Sequence, residues 1–270
     1  MKIFNGKKEA DKILRDLKSK IKKKPILAII YIGQNPESDI YIKNKRTAAK
    51  KIGVMVFCYR FKEGVKEAEV IEKIKKNNNY PSVDGIIVQL PLPKKFNADK
   101  IINSIAPEKD VDGFHKVNLS LLKKGKPHFI PVLPSAILTA LKASSKDFKE
   151  KNIVAIVNSD IFGKTLKTFF DTKEVKIKYF IKRKGIESKL KKADVIISVC
   201  GKPGFIKGEM IKEGAILIDA GIKIVKGKLR GDVDGESVVQ KVSFLTPVPG
   251  GIGPLTVALL LKNVYLASKK

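Results

Sequence analysis

The chain has no tryptophan, two cysteines and two histidines among its 270 residues. Cys58 and Cys200 both sit in strand-like apolar runs and read as buried thiols. Two such residues cannot build a disulfide framework or a structural zinc site. His115 and His128 form neither a metal cluster nor a triad, so no metal is expected. Long apolar runs are missing as well: the stretches 26–32 and 195–200 have the length of strands and cannot span a bilayer. Met1-Lys2-Ile3-Phe4-Asn5-Gly6 lacks the apolar core of a signal peptide. A cytoplasmic protein with no membrane partner is the expectation. Acidic residues are scarce, 27 against 55 basic ones, for a net charge of +28. Arginine is scarcer still. Arg15, Arg46, Arg60, Arg183 and Arg230 are the only five, and fifty lysines make up the rest. Recognition of bases and phosphates draws on arginine's planar fork, and these lysines are scattered over the whole length without a nucleic-acid-binding motif. The charge therefore reads as a solvated surface that attracts polyanionic small molecules, with no nucleic-acid partner. A basic nucleic-acid-binding protein on an α/β scaffold stays as the alternative from another class.

What is present is an alternation of periods. Ala10, Ile13, Leu14, Leu17 and Ile21 mark a helix over 7–24, stopped by Pro25. A continuously apolar strand follows at 26–32, then a helix at 36–52, a strand at 54–61, a helix at 66–76 and a strand at 84–89. The second half repeats the order: helix 135–142, strand 153–157, helix from 163, strand 175–181, helix 186–192, and strands 195–200 and 215–219. Apolar strands alternating with helices predict an α/β fold of parallel sheets covered on both faces. A lysine-, glycine- and proline-rich stretch at 123–131 marks the first domain boundary.

Four segments carry chemistry. Thr246-Pro247-Val248-Pro249-Gly250-Gly251-Ile252-Gly253-Pro254-Leu255-Thr256 packs three prolines and three glycines into eleven residues. It reads as a rigid loop that allows close approach of a ligand and feeds an apolar helix at 257–266. In Ser38-Asp39-Ile40-Tyr41-Ile42-Lys43-Asn44-Lys45, Tyr41 and Lys45 lie one helical turn apart on one face. A lysine partly desolvated beside an aromatic ring has its pKa lowered toward the range useful for proton transfer. Taken singly, a packed tyrosine and one surface lysine of fifty is the stronger reading of this motif. Val88-Gln89-Leu90-Pro91-Leu92-Pro93 ends a buried strand in a polar residue, where open parallel sheets bind ligands. Pro107-Glu108-Lys109-Asp110-Val111-Asp112-Gly113-Phe114-His115 puts carboxylates in a loop.

Together with Val199-Cys200-Gly201-Lys202-Pro203-Gly204-Phe205-Ile206 and Gly231-Asp232-Val233-Asp234, these segments occur in an order and spacing that closely resembles the bifunctional methylenetetrahydrofolate dehydrogenase/cyclohydrolase family, over essentially the whole chain. The resemblance implies an N-terminal α/β folate-binding catalytic domain, 1–125 plus 250–270, and a C-terminal Rossmann-like NAD(P)-binding domain, 126–249, with the last helix returning to the first domain. It implies oxidation of 5,10-methylenetetrahydrofolate to the methenyl cation, then hydrolysis to 10-formyltetrahydrofolate, by a homodimer acting on a polyglutamylated folate. Lys45 would transfer the proton for cyclohydrolase chemistry, Gln89 would hold its amine reactive, Tyr41 would stack on the folate and Asp112 would grip the amino-pyrimidine edge of the pterin. Val88, Leu90, Pro91, Pro249, Gly250 and Gly251 would line the folate cleft. Val157, Asn158, Ser159, Gly163, Lys182, Gly201 and Ile222 would bind the cofactor, NADP, with NAD as the alternative.

The departures from the family all fall on the cofactor side. Its Gly-Arg-Ser is Val157-Asn158-Ser159, its Val-Gly-Lys-Pro is Phe162-Gly163-Lys164-Thr165, its Cys-His-Ser is Tyr179-Phe180-Ile181 and its Pro-Cys-Thr-Pro is Pro131-Val132-Leu133-Pro134. The turn glycine and the arginine for a 2′-phosphate are both gone, while Lys182, Arg183 and Lys184 could supply charge instead. Three readings stay open: an NADP enzyme with a shifted phosphate contact, an NAD-preferring enzyme, and a cyclohydrolase with weak dehydrogenase activity.

Overall fold

A computed structural model describes residues 1–182 and 185–270; the charges expected from Arg183 and Lys184 lie outside the described residues. In chain order the elements are β1 (Lys2–Ile3), α1 (Gly6–Lys20), β2 (Ile26–Ile32), α2 (Pro36–Ile52), β3 (Met55–Phe61), α3 (Glu67–Asn79), β4 (Gly85–Val88), α4 (Ala98–Ile102), α5 (Lys116–Lys123) and α6 (Val132–Ser144). They continue as β5 (Ile153–Val157), α7 (Asp160–Asp171), β6 (Ile177–Ile181), α8 (Glu187–Leu190), β7 (Val195–Val199), β8 (Ala215–Asp219), β9 (Lys223–Val225), β10 (Lys228–Arg230), α9 (Gly235–Val238), β11 (Val242–Leu245) and α10 (Ile252–Ala267).

The chain forms two compact units, Ala10–Val132 with Val257–Lys270, and Met1–Glu9 with Leu133–Thr256. The sequence placed these breaks at 125/126 and 249/250, and kept residues 1–9 with the first domain. Two contacts explain the difference. Phe129 and Val132 are buried in the first unit's core, which holds the chain there past the lysine-rich stretch. Lys2 and Ile3 pair with Phe244 and Leu245 in the second unit's sheet.

The first unit is built on a parallel three-stranded sheet in the order β3-β2-β4. β2 shows why its sequence is apolar at every position. Leu27, Ile29 and Tyr31 face a core shared with α1, α2 and the later turns of α10, through Leu17, Ile42, Ala49, Leu260, Leu261 and Val264. Ala28, Ile30 and Ile32 face the other core, with Val70, Ile74 and Ile101 from α3 and α4. Alternate side chains point to opposite faces, so a strand covered on both sides has no polar position to spare. α2 begins where Asn35 Oδ1 accepts the Ser38 N–H at 2.8 Å, and it ends at Gly53, whose φ of 84° is the left-handed conformation of a C-terminal cap. Cys58, expected to be buried, is only half-buried, because β3 is an edge strand.

The second unit carries a six-stranded parallel sheet in the order β1-β11-β8-β7-β5-β6. From β5 the chain steps outward to β6, then crosses back over β5 to β7 and on to β8. The strand order therefore reverses between β5 and β7. In open α/β sheets that reversal leaves a crevice at the carboxyl ends of the strands, where ligands bind. No helix among the described residues is long and apolar enough to cross a membrane.

Candidate functional site

In the first unit, a helix and a strand end meet over one hydrogen bond. Lys45 lies on the third turn of α2, and its Nζ donates to Gln89 Oε1 at 2.7 Å. Gln89 is the residue just after β4. Its N–H bonds to Ile30 O at 2.8 Å, which continues the sheet ladder, and its Nε2 donates to Leu90 O at 2.8 Å. With Nε2 so engaged, the amide can present only its oxygen to Lys45. Gln89 is buried, and Lys45 is half-buried beneath it. Ser38 Oγ also reaches Leu90 O, at 3.4 Å, so the start of α2 is tied to the same turn.

The electrostatics of this corner are coupled. Burial lowers the Lys45 pKa, while the charges of Asp112 and Cys58 hold it up. Burial raises the Asp112 pKa to about 6, with Lys45 opposing the rise and Asp110 adding to it. Each charged form thus favours the other against the effect of burial, and such perturbed pairs cluster at functional sites.

The loop that carries Asp112 is fixed by bonds the sequence did not reveal. Asp110 is buried and accepts the N–H of Gly113 at 3.2 Å, the N–H of His115 at 2.8 Å and Nδ2 of Asn118 at 2.9 Å. Gly113 has φ of 81°, and a Cβ there would meet Pro131 Cα at 3.0 Å, so glycine is required. His115 caps α5: its Nδ1 accepts the Val117 N–H at 3.0 Å, and its Nε2 lies 3.2 Å from Asn103 O. A carbonyl can only accept, so Nε2 is the donor in this contact. From α10, Asn263 Nδ2 donates to Val111 O at 2.9 Å and Ile130 O at 3.0 Å. Val88 is buried as the last residue of β4, while Leu90 and Pro91 are exposed just beyond it. Tyr41 lies half-buried on α2.

Pro249, Gly250 and Gly251 belong to the second unit. Their loop is shorter than the sequence suggests, because residues 252–256 are already the first turn of α10. The first N–H groups of a helix have no partner within it, so Pro254 costs nothing there.

The residues expected to bind cofactor converge at the carboxyl ends of β5, β6, β7 and β8. Val157 is not in a turn, as a glycine would be. It is the fully buried last residue of β5, and its carbonyl accepts the Lys182 N–H at 2.9 Å. The turn is made instead by Asn158, which is exposed, and by Ser159, whose Oγ caps α7 through the Phe162 N–H at 3.3 Å. Lys182 Nζ reaches Cys200 O at 3.4 Å, and a Cβ on Gly201 would lie 3.7 Å from Ile222 O. The altered Tyr179 also has a place. Its ring covers Gly163, where a Cβ would sit 2.3 Å from Tyr179 Cδ2, and its hydroxyl donates to Asp160 Oδ1 at 2.8 Å. Close packing of α7 on the sheet, a helix N-terminus at the end of β5 and a strand-order reversal fit a dinucleotide with a pyrophosphate. Among the described residues no group of three His, Cys, Asp or Glu could hold a metal ion.

Comparison with known proteins agrees with both halves. Residues 4–112 match the tetrahydrofolate dehydrogenase/cyclohydrolase catalytic domain, and residues 131–270 match the NAD(P)-binding domain of the same family. A bifunctional protein FolD from Nautilia profundicola is 38% identical, covering 100% of this chain and 98% of the relative. The crystal structure of the Campylobacter jejuni bifunctional methylenetetrahydrofolate dehydrogenase/cyclohydrolase is 36% identical with a TM-score of 0.90, over 100% of this chain and 99% of that one. The Trypanosoma brucei enzyme, solved with NADP and an inhibitor, is 28% identical with a TM-score of 0.91, over 99% and 97%. A full-length match in sequence and in fold, on top of the two paired domains, places this chain in the tetrahydrofolate dehydrogenase/cyclohydrolase family.

Proposed function

We propose that the chain is a bifunctional one-carbon enzyme that oxidises 5,10-methylenetetrahydrofolate with NADP and hydrolyses the 5,10-methenyl product to 10-formyltetrahydrofolate. The observation that carries this reading is the 2.7 Å bond between Lys45 Nζ and Gln89 Oε1, in a corner that pulls the Lys45 pKa down. Asp112 accepts the N–H groups of the pterin's amino-pyrimidine edge, a paired carboxylate contact. Tyr41, one turn before Lys45, stacks on the folate, and Val88, Leu90 and Pro91 line the same strand end. The neutral Lys45 amine takes a proton from water as it attacks the cationic methenyl carbon. An ammonium would repel that carbon and has no lone pair to offer. Gln89 holds the amine in place through an oxygen that carries no full charge.

In the second unit, Asn158, Ser159, Gly163 and the start of α7, with Lys182, Gly201 and Ile222, would hold the dinucleotide. When bound, the nicotinamide dinucleotide accepts the hydride. Lys182, at the end of β6, would take the place of the missing arginine toward a 2′-phosphate. We extend the reading to a polyglutamylated substrate, which suits fifty lysines, and to a homodimer. The edge strand β3 exposes Met55 and Phe57, a surface that a second copy would cover.

The test is methylenetetrahydrofolate oxidation with NADP and with NAD, followed by methenyl absorbance and its decay. Turnover with NADP supports the proposal. Turnover with NAD alone would make Asn158 the marker of cofactor choice. Decay of supplied methenyl-folate without reduction of either nucleotide would leave only the cyclohydrolase half.

A further inference from the structure

Two aspartates in the second unit are buried and back to back. Asp232 is fully buried and Asp219 is 3% exposed. Asp232 Oδ2 accepts Ser198 Oγ at 2.7 Å and the Cys200 N–H at 2.6 Å, while Oδ1 accepts the Lys202 N–H at 2.6 Å. It therefore takes the amides on either side of Gly201, whose φ is 62°. Asp219 Oδ1 accepts the N–H groups of Gly221 at 3.0 Å and Asp232 at 3.1 Å, and its Oδ2 accepts the Val233 N–H at 2.9 Å. Thr246 Oγ1 accepts the Asp219 N–H at 2.7 Å and donates to Asp219 O at 3.0 Å. Two glycines close the pair off reciprocally. A Cβ on Gly221 would lie 1.9 Å from Asp232 Oδ2, and one on Gly231 would lie 2.0 Å from Asp219 Oδ2. Buried carboxylates are costly unless every oxygen is engaged, and engaged ones make strong, directional bonds.

This network ends at the carboxyl end of β7, beside β5, where the strand order reverses. We propose that Asp232 is a positioning residue for nucleotide binding: it sets the backbone of Cys200-Gly201-Lys202 against the dinucleotide, and Asp219 and Thr246 hold it there. The inference rests on the dehydrogenase reading above.

The experiment is Asp232→Asn, which keeps the shape and turns one acceptor oxygen into a donor facing N–H or O–H groups. NADP and NAD are titrated calorimetrically into wild type and variant, with nucleotide KM and kcat measured alongside. Hydrolysis of supplied methenyl-folate and the melting temperature serve as controls of the fold. The expected result is a nucleotide Kd and KM at least tenfold higher, kcat at saturation within threefold, and hydrolysis maintained. An unchanged nucleotide Kd in the folded variant overturns the inference. Should Asp232→Asn fail to fold, Ser198→Ala removes one donor from the same oxygen. A severalfold weaker nucleotide Kd with hydrolysis maintained then supports the inference. No change in Kd, or an equal loss of both activities, overturns it. A wild-type chain that binds neither nucleotide would overturn the dehydrogenase reading itself, and this inference with it.

Discussion

Lys45 Nζ and Gln89 Oε1 are 2.7 Å apart, and they come from elements 44 residues apart in the chain. The strand supplies an acceptor that carries no charge, and the helix supplies an amine whose pKa burial has lowered. Removing the amine removes the base. In Lys45→Met, methenyl hydrolysis is expected to fall by about 10²–10⁴-fold, the usual contribution of a positioned acid–base group. Folate binding measured by calorimetry stays within a few fold. Hydrolysis at the wild-type rate in that variant would take Lys45 out of the mechanism.

Gln89→Glu tests whether the acceptor must be uncharged. A carboxylate at this distance favours the ammonium form and raises the Lys45 pKa. The acid limb of the hydrolysis pH profile should move upward by about one unit or more, with the rate at pH 7 falling correspondingly. Gln89→Met removes the acceptor without adding charge and should leave that limb where it is or lower it. Identical profiles in both variants would show that Gln89 acts only by packing.

Asp112 gives a dependence of stability on pH whose sign follows from its raised pKa of about 6. Between its ordinary value of 3.8 and that raised one, the folded chain holds a proton that the unfolded chain has released. Stability therefore falls as pH rises through this window, and the full cost is present above about pH 6. Asp112→Asn removes the cost, so its melting temperature should gain on wild type at pH 7.5 and gain less at pH 4.5. The same variant should bind folate at least tenfold more weakly, by analogy with other paired carboxylate contacts. A pH-independent difference in melting temperature would show that Asp112 does not titrate in this range.

Gly163 is the packing contact that the altered Tyr179 imposes. A methyl group there would sit 2.3 Å from the ring, and forcing it in should cost about 1–3 kcal/mol. Gly163→Ala is expected to lower the melting temperature by several degrees and to weaken nucleotide binding. Adding Tyr179→Ala should recover most of the stability loss. Failure of that rescue would place the strain elsewhere.

Long, strongly patterned elements were readable before any coordinates. α2, β5 and β8 fall where their apolar spacing puts them, and the folate-side segments were legible as motifs. The elements that escaped are short or depend on distant partners. β1 is two residues long and exists only because Phe244 and Leu245 lie beside it. β11 alternates weakly, and α5 was hidden in a stretch that ran into the presumed linker. The polar residues that fix the sites escaped for a related reason. Asp110, Asp219, Thr246 and Asn263 each look incidental in their own segment. The roles of Asp219, Thr246 and Asn263 appear only when the fold brings residues 13 to 152 positions away within bonding distance. That of Asp110 appears only when its loop closes on residues 113, 115 and 118. Composition and spacing alone left Lys45 one lysine among fifty; the family resemblance singled it out, and its bond to Gln89 is visible only with α2 and β4 side by side.

The division of the chain has a consequence for its synthesis. The unit that carries Lys45 includes Val257–Lys270, and the unit that carries Asp232 includes both Met1–Glu9 and Leu133–Thr256. A ribosome releases residues in order, and domains usually fold as they emerge, the N-terminal one first. Here neither unit has all its parts early. The first lacks the side chains of α10 that seal its core, and the strand waiting to receive Lys2 and Ile3 is β11. Nascent chains stalled at residue 240 should therefore be digested by protease in both units, whereas chains carrying all 270 residues resist. Neither unit is complete until β11 and α10 have been made.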